Sequence, residues 1–323
     1  KEYLGQEVVP DSGCGSWLLE PQSTNLETKS NDFSNWGSNV NINTTDNYIV
    51  SPDGTQNATR LQWTGGGYMY NTPQGVVSTL FTISCYAKRN DSGTQSVGFF
   101  VNGSGVVDSA WSLTSDWVRF TYTYTSTNTS LIGIAGNSGA DISVFGFQIE
   151  QQSYATSYIP TNGATSTRLQ DIANNSGNST LINSTEGVLY AEIAALADDL
   201  TERRLTISDG SNSNRVAIEY TLSSNEIKGR VVSSGSTSAN INFNSISILD
   251  FNKIAISYKQ NDFNLWFNGV KVGTDTSGNA PIGLNMISFD NGSGGNKFIG
   301  KNKALAVFKE ALTDAQLQSL TSN

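Results

Sequence analysis

Three aromatic residues crowd one short stretch, LQWTGGGYMYN, where Trp63, Tyr68 and Tyr70 flank a run of glycines. Trp111 follows in VVDSAW, at an expected loop or strand end. Uncharged sugars are held by aromatic faces packed against the C–H-rich faces of the ring, with Asn, Gln, Asp and backbone groups meeting the hydroxyls. Trp63, Tyr68, Tyr70 and Trp111 are therefore the candidate glycan contacts, since Gly and polar residues surround them. The competing reading is that they fill a core, as large aromatics usually do. Trp36 and Trp117 are assigned to the core.

Residues for covalent chemistry are scarce. There is no histidine, so nucleophilic triads and most zinc sites are ruled out, and the two cysteines cannot build a Cys-only zinc site. TGGGYMY and NGSGGNK have glycines without the spacing or the strand–helix context of a phosphate loop. Glycoside hydrolysis needs only two carboxylates about 5–10 Å apart. Glu192, Asp198, Asp199, Glu202 and Glu219 could supply them, but no strand alternates carboxylates along one face. They read as surface acids, and the chain reads as a non-enzyme with no catalytic residue and no required cofactor. The turns SPDGTQN, SDGSNSN and FDNGSGGN could offer oxygen ligands to a structural Ca²⁺, which stays open because none has the spacing of an EF-hand loop.

The elements that must position these residues are strands. Charged residues make up 15 % of the 323, hydrophobic residues 37 %, and much of the remainder is Ser, Thr, Asn and Gly, a balance that suits short strands and tight turns better than helices. A chain of this length suggests two domains of about 150 residues each. In LFTISCYAK, Phe81, Ile83 and Cys85 share one face, which makes Cys85 a small buried side chain. Cys14 is expected outside the core, and a Cys14–Cys85 bridge is open but not favoured. In WVRFTYTYT, Val118, Phe120, Tyr122 and Tyr124 share a face opposite Arg119 and three threonines. DISVFGFQIE is apolar almost throughout, as in a strand covered on both faces.

Residues 1–16 read as a connector, 17–171 as a first β-domain, 172–183 as a polar linker and 184–323 as a second β-domain. In DFNLWFNGVKV, Asn268-Gly269 suits the type I′ turn of a hairpin. LTDAQLQSL offers Thr313 and Gln316 as a capping box, with Leu312 and Leu317 as a hydrophobic staple, for a short final helix. The net charge of −9 argues against nucleic acid or an anionic membrane surface as partner, and no apolar run is long enough to insert in a membrane. KEYLGQEVVP lacks a signal-peptide core and begins without Met, and is read as part of a longer polypeptide.

The ordered series LLEPQSTNLETKSNDFSNW, SPDGTQNATRLQWTGGG, LFTISCYAKRNDSGTQ, SDWVRFTYTYT and FGFQIEQQSYATSYIPTNGATSTRLQD resembles the jelly-roll module of phage tail-fibre and virion proteins, which is similar to carbohydrate-binding modules. NLWFNGVKVG and FIGKNKALAVFKEALTDAQLQSL resemble the concanavalin A-like lectin/glucanase sandwich of laminin-G type, without the Glu-x-Asp-x-x-Glu strand of its glucanases. The resemblance implies an all-β chain of two tandem β-sandwiches, a jelly roll and then a concanavalin A-like sandwich. It also implies a non-catalytic, glycan-binding segment of a virion appendage. Its partners would be host cell-surface polysaccharide and other virion proteins, its place the virion surface, and its assembly a homo-oligomer such as a trimer. A purely structural fibre module, or the accessory modules of a secreted bacterial polysaccharidase, are the alternatives. Within the series, SYATSYIPTNGATSTRLQD reads as a closing clasp, with Tyr158 and Ile159 packed down, Pro160 ending any pairing, Asn162-Gly163 turning and Arg168 as a structural donor.

Overall fold

The computed structural model describes residues 2–3, 7–8, 15–71, 78–93, 96–101, 104–106, 110–127, 131–244 and 247–322, with backbone only at 2–3, 7–8 and 104–106. The strands gather into two compact units, Gln22–Leu169 and Lys1–Pro21 with Gln170–Asn323. Both are β-sandwiches built of antiparallel sheets, and one short helix, Asp314–Thr321, follows near the C-terminus. Among the described residues no helix is long and apolar enough to cross a membrane.

In Gln22–Leu169, one five-stranded sheet runs in the order 118–125, 80–89, 141–150, 58–63 and 42–49, and the other in the order 104–106, 97–101, 132–136, 67–71 and 38–39. Alternation puts Phe81, Ile83, Cys85 and Ala87 from one sheet, and Val97, Phe99 and Val101 from the other, into one core. Phe120, Tyr122 and Tyr124 pack against the same core, as their shared face requires. Cys85 is a free thiol with no exposure, while Cys14 lies outside the described residues.

The Asp141–Glu150 strand departs from simple alternation. Its register shifts between Phe145 and Gln148, where Gly146 takes φ +67°. The extra residue moves the pattern by one, so Ile142 and Val144 before it and Phe147 and Ile149 after it enter the same core. Phe145 is left on the other side, 5.1 Å from the Tyr158 ring in an edge-to-face contact. The strand is covered on both faces, and residues after Gln152 form the second cover.

That cover is the closing clasp. Gln148 Oε1 accepts from the Ile159 amide at 2.7 Å, and Asn25 Nδ2 donates to the Ile159 carbonyl at 2.9 Å. The Thr161 hydroxyl donates to the Glu27 carbonyl at 2.7 Å, and Gly163, at φ +83°, donates its amide to Thr28. Ser166–Arg168 then pairs with Ser23–Asn25, which brings the two ends of the unit side by side.

The other unit sets one sheet, whose main run is 300–308, 186–195, 252–259, 262–267 and 270–275, against a second of 236–244, 226–233, 215–220, 203–208 and 286–288. Leu189, Ile193, Leu205, Ile218, Tyr258 and Leu265 are among the side chains enclosed between them. Asn268 and Gly269, at φ +45° and +83°, form the tight hairpin turn that the Asn-Gly pair predicts. Thr313 caps the helix through a reciprocal capping box with Gln316, and Leu317 and Leu312 pack on Tyr190 and Trp266.

Two segments lie elsewhere than the sequence suggests. Trp17–Leu19, grouped above with the first domain, pairs with Gly300–Asn302 in the C-terminal sandwich. Residues 172–183, expected as a linker, are docked on that sandwich: Ser176 and Ile287 exchange backbone hydrogen bonds, and Ile182 is 3 % exposed in its core. Their polar side chains suggest solvent, but backbone hydrogen bonds together with Leu181 and Ile182 make the attachment.

Candidate functional site

The Gly67–Asn71 strand positions the first candidate site. Met69 points into the core with no exposure, so Tyr68 and Tyr70 stand on the outer face of their sheet, half-buried. The neighbouring strand offers only Ala135 opposite Tyr68 and Gly133 opposite Tyr70. One strand further, Phe100 is also opposite Gly133. With no bulk between them, three rings meet in a nearly parallel stack. The Tyr68 and Phe100 centroids are 4.6 Å apart at 5°, and Tyr70 is 6.0 Å from both. A Cβ on Gly133 would lie 1.9 Å from the Met69 carbonyl oxygen, so the position needs glycine.

Phe100 is 3 % exposed and supports the tyrosines from within the stack. Neither tyrosine hydroxyl is engaged among the described residues. The arrangement offers a sugar apolar ring surface and two hydroxyls that have no partner among the described residues. Phe100 was not among the predicted contacts, because the pair Phe99-Phe100 does not reveal which ring faces outward.

Trp63 and Trp111, predicted beside Tyr68 and Tyr70, are core residues. Trp63 is 3 % exposed, donates Nε1–H to the Gly67 carbonyl at 3.1 Å and lies against Gly136, where a Cβ would come within 2.8 Å of its ring. Trp111, 7 % exposed, stacks on Phe120 at 4.8 Å and meets Phe99 edge-on at 4.9 Å. Their glycine and polar neighbours mark the local backbone as exposed, but the rings reach inward. Trp36 is buried as expected. Trp117 is not in the core: it is half-buried, with Nε1–H donated to Val50 and Lys88 above its ring.

Each of the five carboxylates is engaged by the protein's own donors, two of them by the same arginine. Glu192 pairs with Lys303 at 2.9 Å, Asp199 takes both oxygens' bonds from Arg203 at 2.8 Å, and Asp198 accepts from Ser224 and the Asn225 amide. Glu202 pairs with Arg204 at 3.0 Å, and Glu219 lies 3.2 Å from the same arginine. Glu219, read above as a surface acid, is 1 % exposed; it faces a row of cations on its sheet.

In the Asp-rich turns, Asp53 accepts from Ser51, from the amide and hydroxyl of Thr55, and from Asn57. Desolvation opposes its charge, but together these donors outweigh it and hold the carboxyl down at about 2. Asp209 is bound in the same way by Ser211 and Asn214. Among the described residues no three His, Cys, Asp or Glu side chains gather as a metal-binding group. A depression of about 440 Å³ in the C-terminal sandwich has buried Ile182 and Leu284 beneath Ser179, Thr180, Asn285 and Lys309.

No protein-family model and no curated protein matches the chain. Among solved structures, it is similar to the CBM40 domain of the Ruminococcus gnavus IT-sialidase bound to α2,3-sialyllactose, with 14 % identity over 47 % of this chain and 95 % of that one and a TM-score of 0.39. It is also similar to domain 4 of the GH43 extracellular arabinanase AbnA of Geobacillus stearothermophilus in complex with arabinotriose, with 14 % identity, 53 % of this chain, 81 % of that one and a TM-score of 0.36. A SAP-like pentraxin from Limulus polyphemus gives 12 % identity, 46 % and 74 % coverage and a TM-score of 0.36. The likeness extends over about half of the chain and assigns it to no family.

Proposed function

We propose that this chain is a non-catalytic glycan-binding segment of a phage virion appendage, directed at host cell-surface polysaccharide. The observation that carries the binding role is the ring stack of half-buried Tyr68 and Tyr70 on buried Phe100, with neither tyrosine hydroxyl engaged among the described residues. The pairing of Glu192 with Lys303, of Asp199 with Arg203 and of both Glu202 and Glu219 with Arg204 supports binding without hydrolysis, since a glycosidase needs a facing pair of carboxyls free to act across a cleft. The virion setting rests on the ordered motif series of the first sandwich. A single shallow site binds weakly, and repetition on a particle would raise its effective concentration.

A glycan array probed with the multimerised chain tests the function. Binding to a defined set of bacterial polysaccharides is expected, and silence across the array would sink the proposal. Tyr68→Ala and Tyr70→Ala should each weaken binding by about three- to tenfold, the worth of an aromatic contact, with unchanged melting. Unaltered affinity in both would reject the site. Gene neighbours encoding capsid or tail proteins would support the setting.

A further inference from the structure

The depression in the C-terminal sandwich is built by segments that the chain ties to one another. Asn178 folds residues 178–182 into a single turn: its side-chain oxygen accepts from the Thr180 hydroxyl and amide and from the Leu181 amide, and its carbonyl from the Leu181 and Ile182 amides. Ile182 enters the core and fixes that turn at the surface. Residues 283–285 form a second wall, where the Leu284 amide donates to Ser184 Oγ at 2.8 Å and the Asn285 amide to the Ser208 carbonyl at 2.9 Å. Asn183 Nδ2 donates to the Lys309 carbonyl at 2.8 Å and joins the third. A pocket whose walls are already bonded together loses little freedom when a ligand enters. Its volume of about 440 Å³ falls in the ordinary range of small-ligand sites.

Ile182 and Leu284, 3 % and 1 % exposed, only close the base. The groups that solvent reaches are on the walls and rim: Ser179, Thr180 and Lys309 are exposed, and Asn183, Ser184 and Asn285 are half-buried. The Thr180 hydroxyl donates to Asn178, so its oxygen is left to accept. Ser184 Oγ accepts from Leu284, so its O–H is left to donate. The Ser179 hydroxyl, which can do either, and the Lys309 ammonium, which only donates, have no partner among the described residues. Among the described residues no carboxylate and no aromatic ring lines the pocket. A cationic ligand would meet Lys309 with no counter-charge, and a flat aromatic ligand would have no ring to stack on. A sugar ring, whose adjacent hydroxyls both donate and accept, matches the mixture.

We infer that this pocket is a second saccharide site that takes a sugar residue of a glycan chain, with Lys309 and Ser184 as donors, Thr180 as acceptor and Ser179 as either. The inference rests on the glycan-binding reading above and adds a site in the other sandwich, one that works through hydroxyls and an ammonium without an aromatic platform. Two weak sites on one chain engage a long polysaccharide by avidity.

The test titrates the whole, isotope-labelled chain and follows its amide resonances. The probes are D-glucose, D-galactose, D-mannose, L-rhamnose and N-acetyl-D-glucosamine, with cyclohexanol as a ring that carries a single hydroxyl. At least one sugar should shift the amides of 179–184 and 283–285 to saturation, and cyclohexanol should bind there at least about tenfold more weakly. Lys309→Gln should weaken that sugar by about tenfold and Thr180→Val by about threefold. Both side chains are exposed, so melting should not change. Should Thr180→Val melt early through loss of its bond to Asn178, Lys309→Gln alone decides. Sugar shifts confined to the ring-stack strand, 67–71, and its neighbour at 133 overturn the second site and leave the glycan reading standing. Pocket shifts that Lys309→Gln does not weaken, or cyclohexanol bound as tightly as the best sugar, overturn the inference as well. Shifts at neither place overturn it and count against the glycan reading too.

Discussion

Thr156 donates both its backbone amide and its hydroxyl to the carboxylate of Glu150, one bond to each oxygen. Both residues are fully buried, and Ser23 and Gln152 donate to the same carboxylate. The last strand of the first sandwich is thus joined to its closing clasp through one anionic acceptor.

Glu150→Gln would turn an acceptor of several donors into a group that presents its own N–H₂ to them. Hydrogen bonds to a charged group are worth about 1.5–3 kcal/mol. Loss of about 2–3 kcal/mol in denaturant unfolding is expected, together with new proteolytic cleavage between 153 and 165. A variant as stable and protease-resistant as the parent would show that the clasp is held by other contacts.

Gly146→Ala would force a non-glycine residue to φ +67° and bring its Cβ to 3.2 Å from the Tyr158 ring. The conformational cost alone is about 1–2 kcal/mol. A fall in melting temperature is expected, with loss of near-ultraviolet signal from Tyr158 and Phe145. No change in either would mean that the bulge can relocate along the strand.

Two carboxyls should respond to pH in opposite directions. The carboxyl of Asp53 lies at about 2, below the usual carboxylate value, so its contribution is present above the unfolded value near 3.8 and is lost as pH falls through about 2. Glu27 is the reverse: burial raises it, against the Asn71 and Lys29 bonds that favour the charge, so stability is lost as pH rises through its folded value. Asp53→Asn should flatten acid unfolding between pH 4 and 2, and Glu27→Gln should gain relative to the parent as pH rises toward neutral. Chemical denaturation at stepped pH checks both, and parallel profiles for parent and variants would contradict these assignments.

Burial pushes the Cys85 thiol well above its ordinary range, and it has no exposure. A thiolate is the reactive form. The Cys85 peptide should therefore remain unmodified by iodoacetamide in the folded protein and react fully once denaturant is added. Rapid native labelling at Cys85 would show that the sheet opens there.

Local patterns in the sequence revealed what neighbouring residues decide together. Phe81, Ile83 and Cys85 share the core face their spacing implies, Asn268-Gly269 makes its turn, and Thr313 with Gln316 caps the helix. Contacts set by distant pairing were not legible. Nothing near Trp17 announces a partner at Asn302, and the burial of Glu219 between cations appears only when Arg204, Glu219 and Lys228 are brought into register across three strands. Of the ring stack, Tyr68 and Tyr70 could be found from LQWTGGGYMYN; Phe100 could not, and the inward reach of Trp63 and Trp111 depends on cavities that distant strands create.

The pairing of Trp17–Leu19 with Gly300–Asn302 has a mechanical consequence. Glu20 and Asp171 are joined by the hydrogen bonds Glu20 N–H to the Asp171 carboxylate and Asp171 N–H to the Glu20 carbonyl. Gln22–Leu169 is therefore a loop of chain whose entry and exit are fastened together outside it. Tension applied to the flanks of the polypeptide is carried first by those strand and anchor bonds. The enclosed sandwich stays slack until they shear, so a pull along the chain loads this segment without distorting the tyrosine stack.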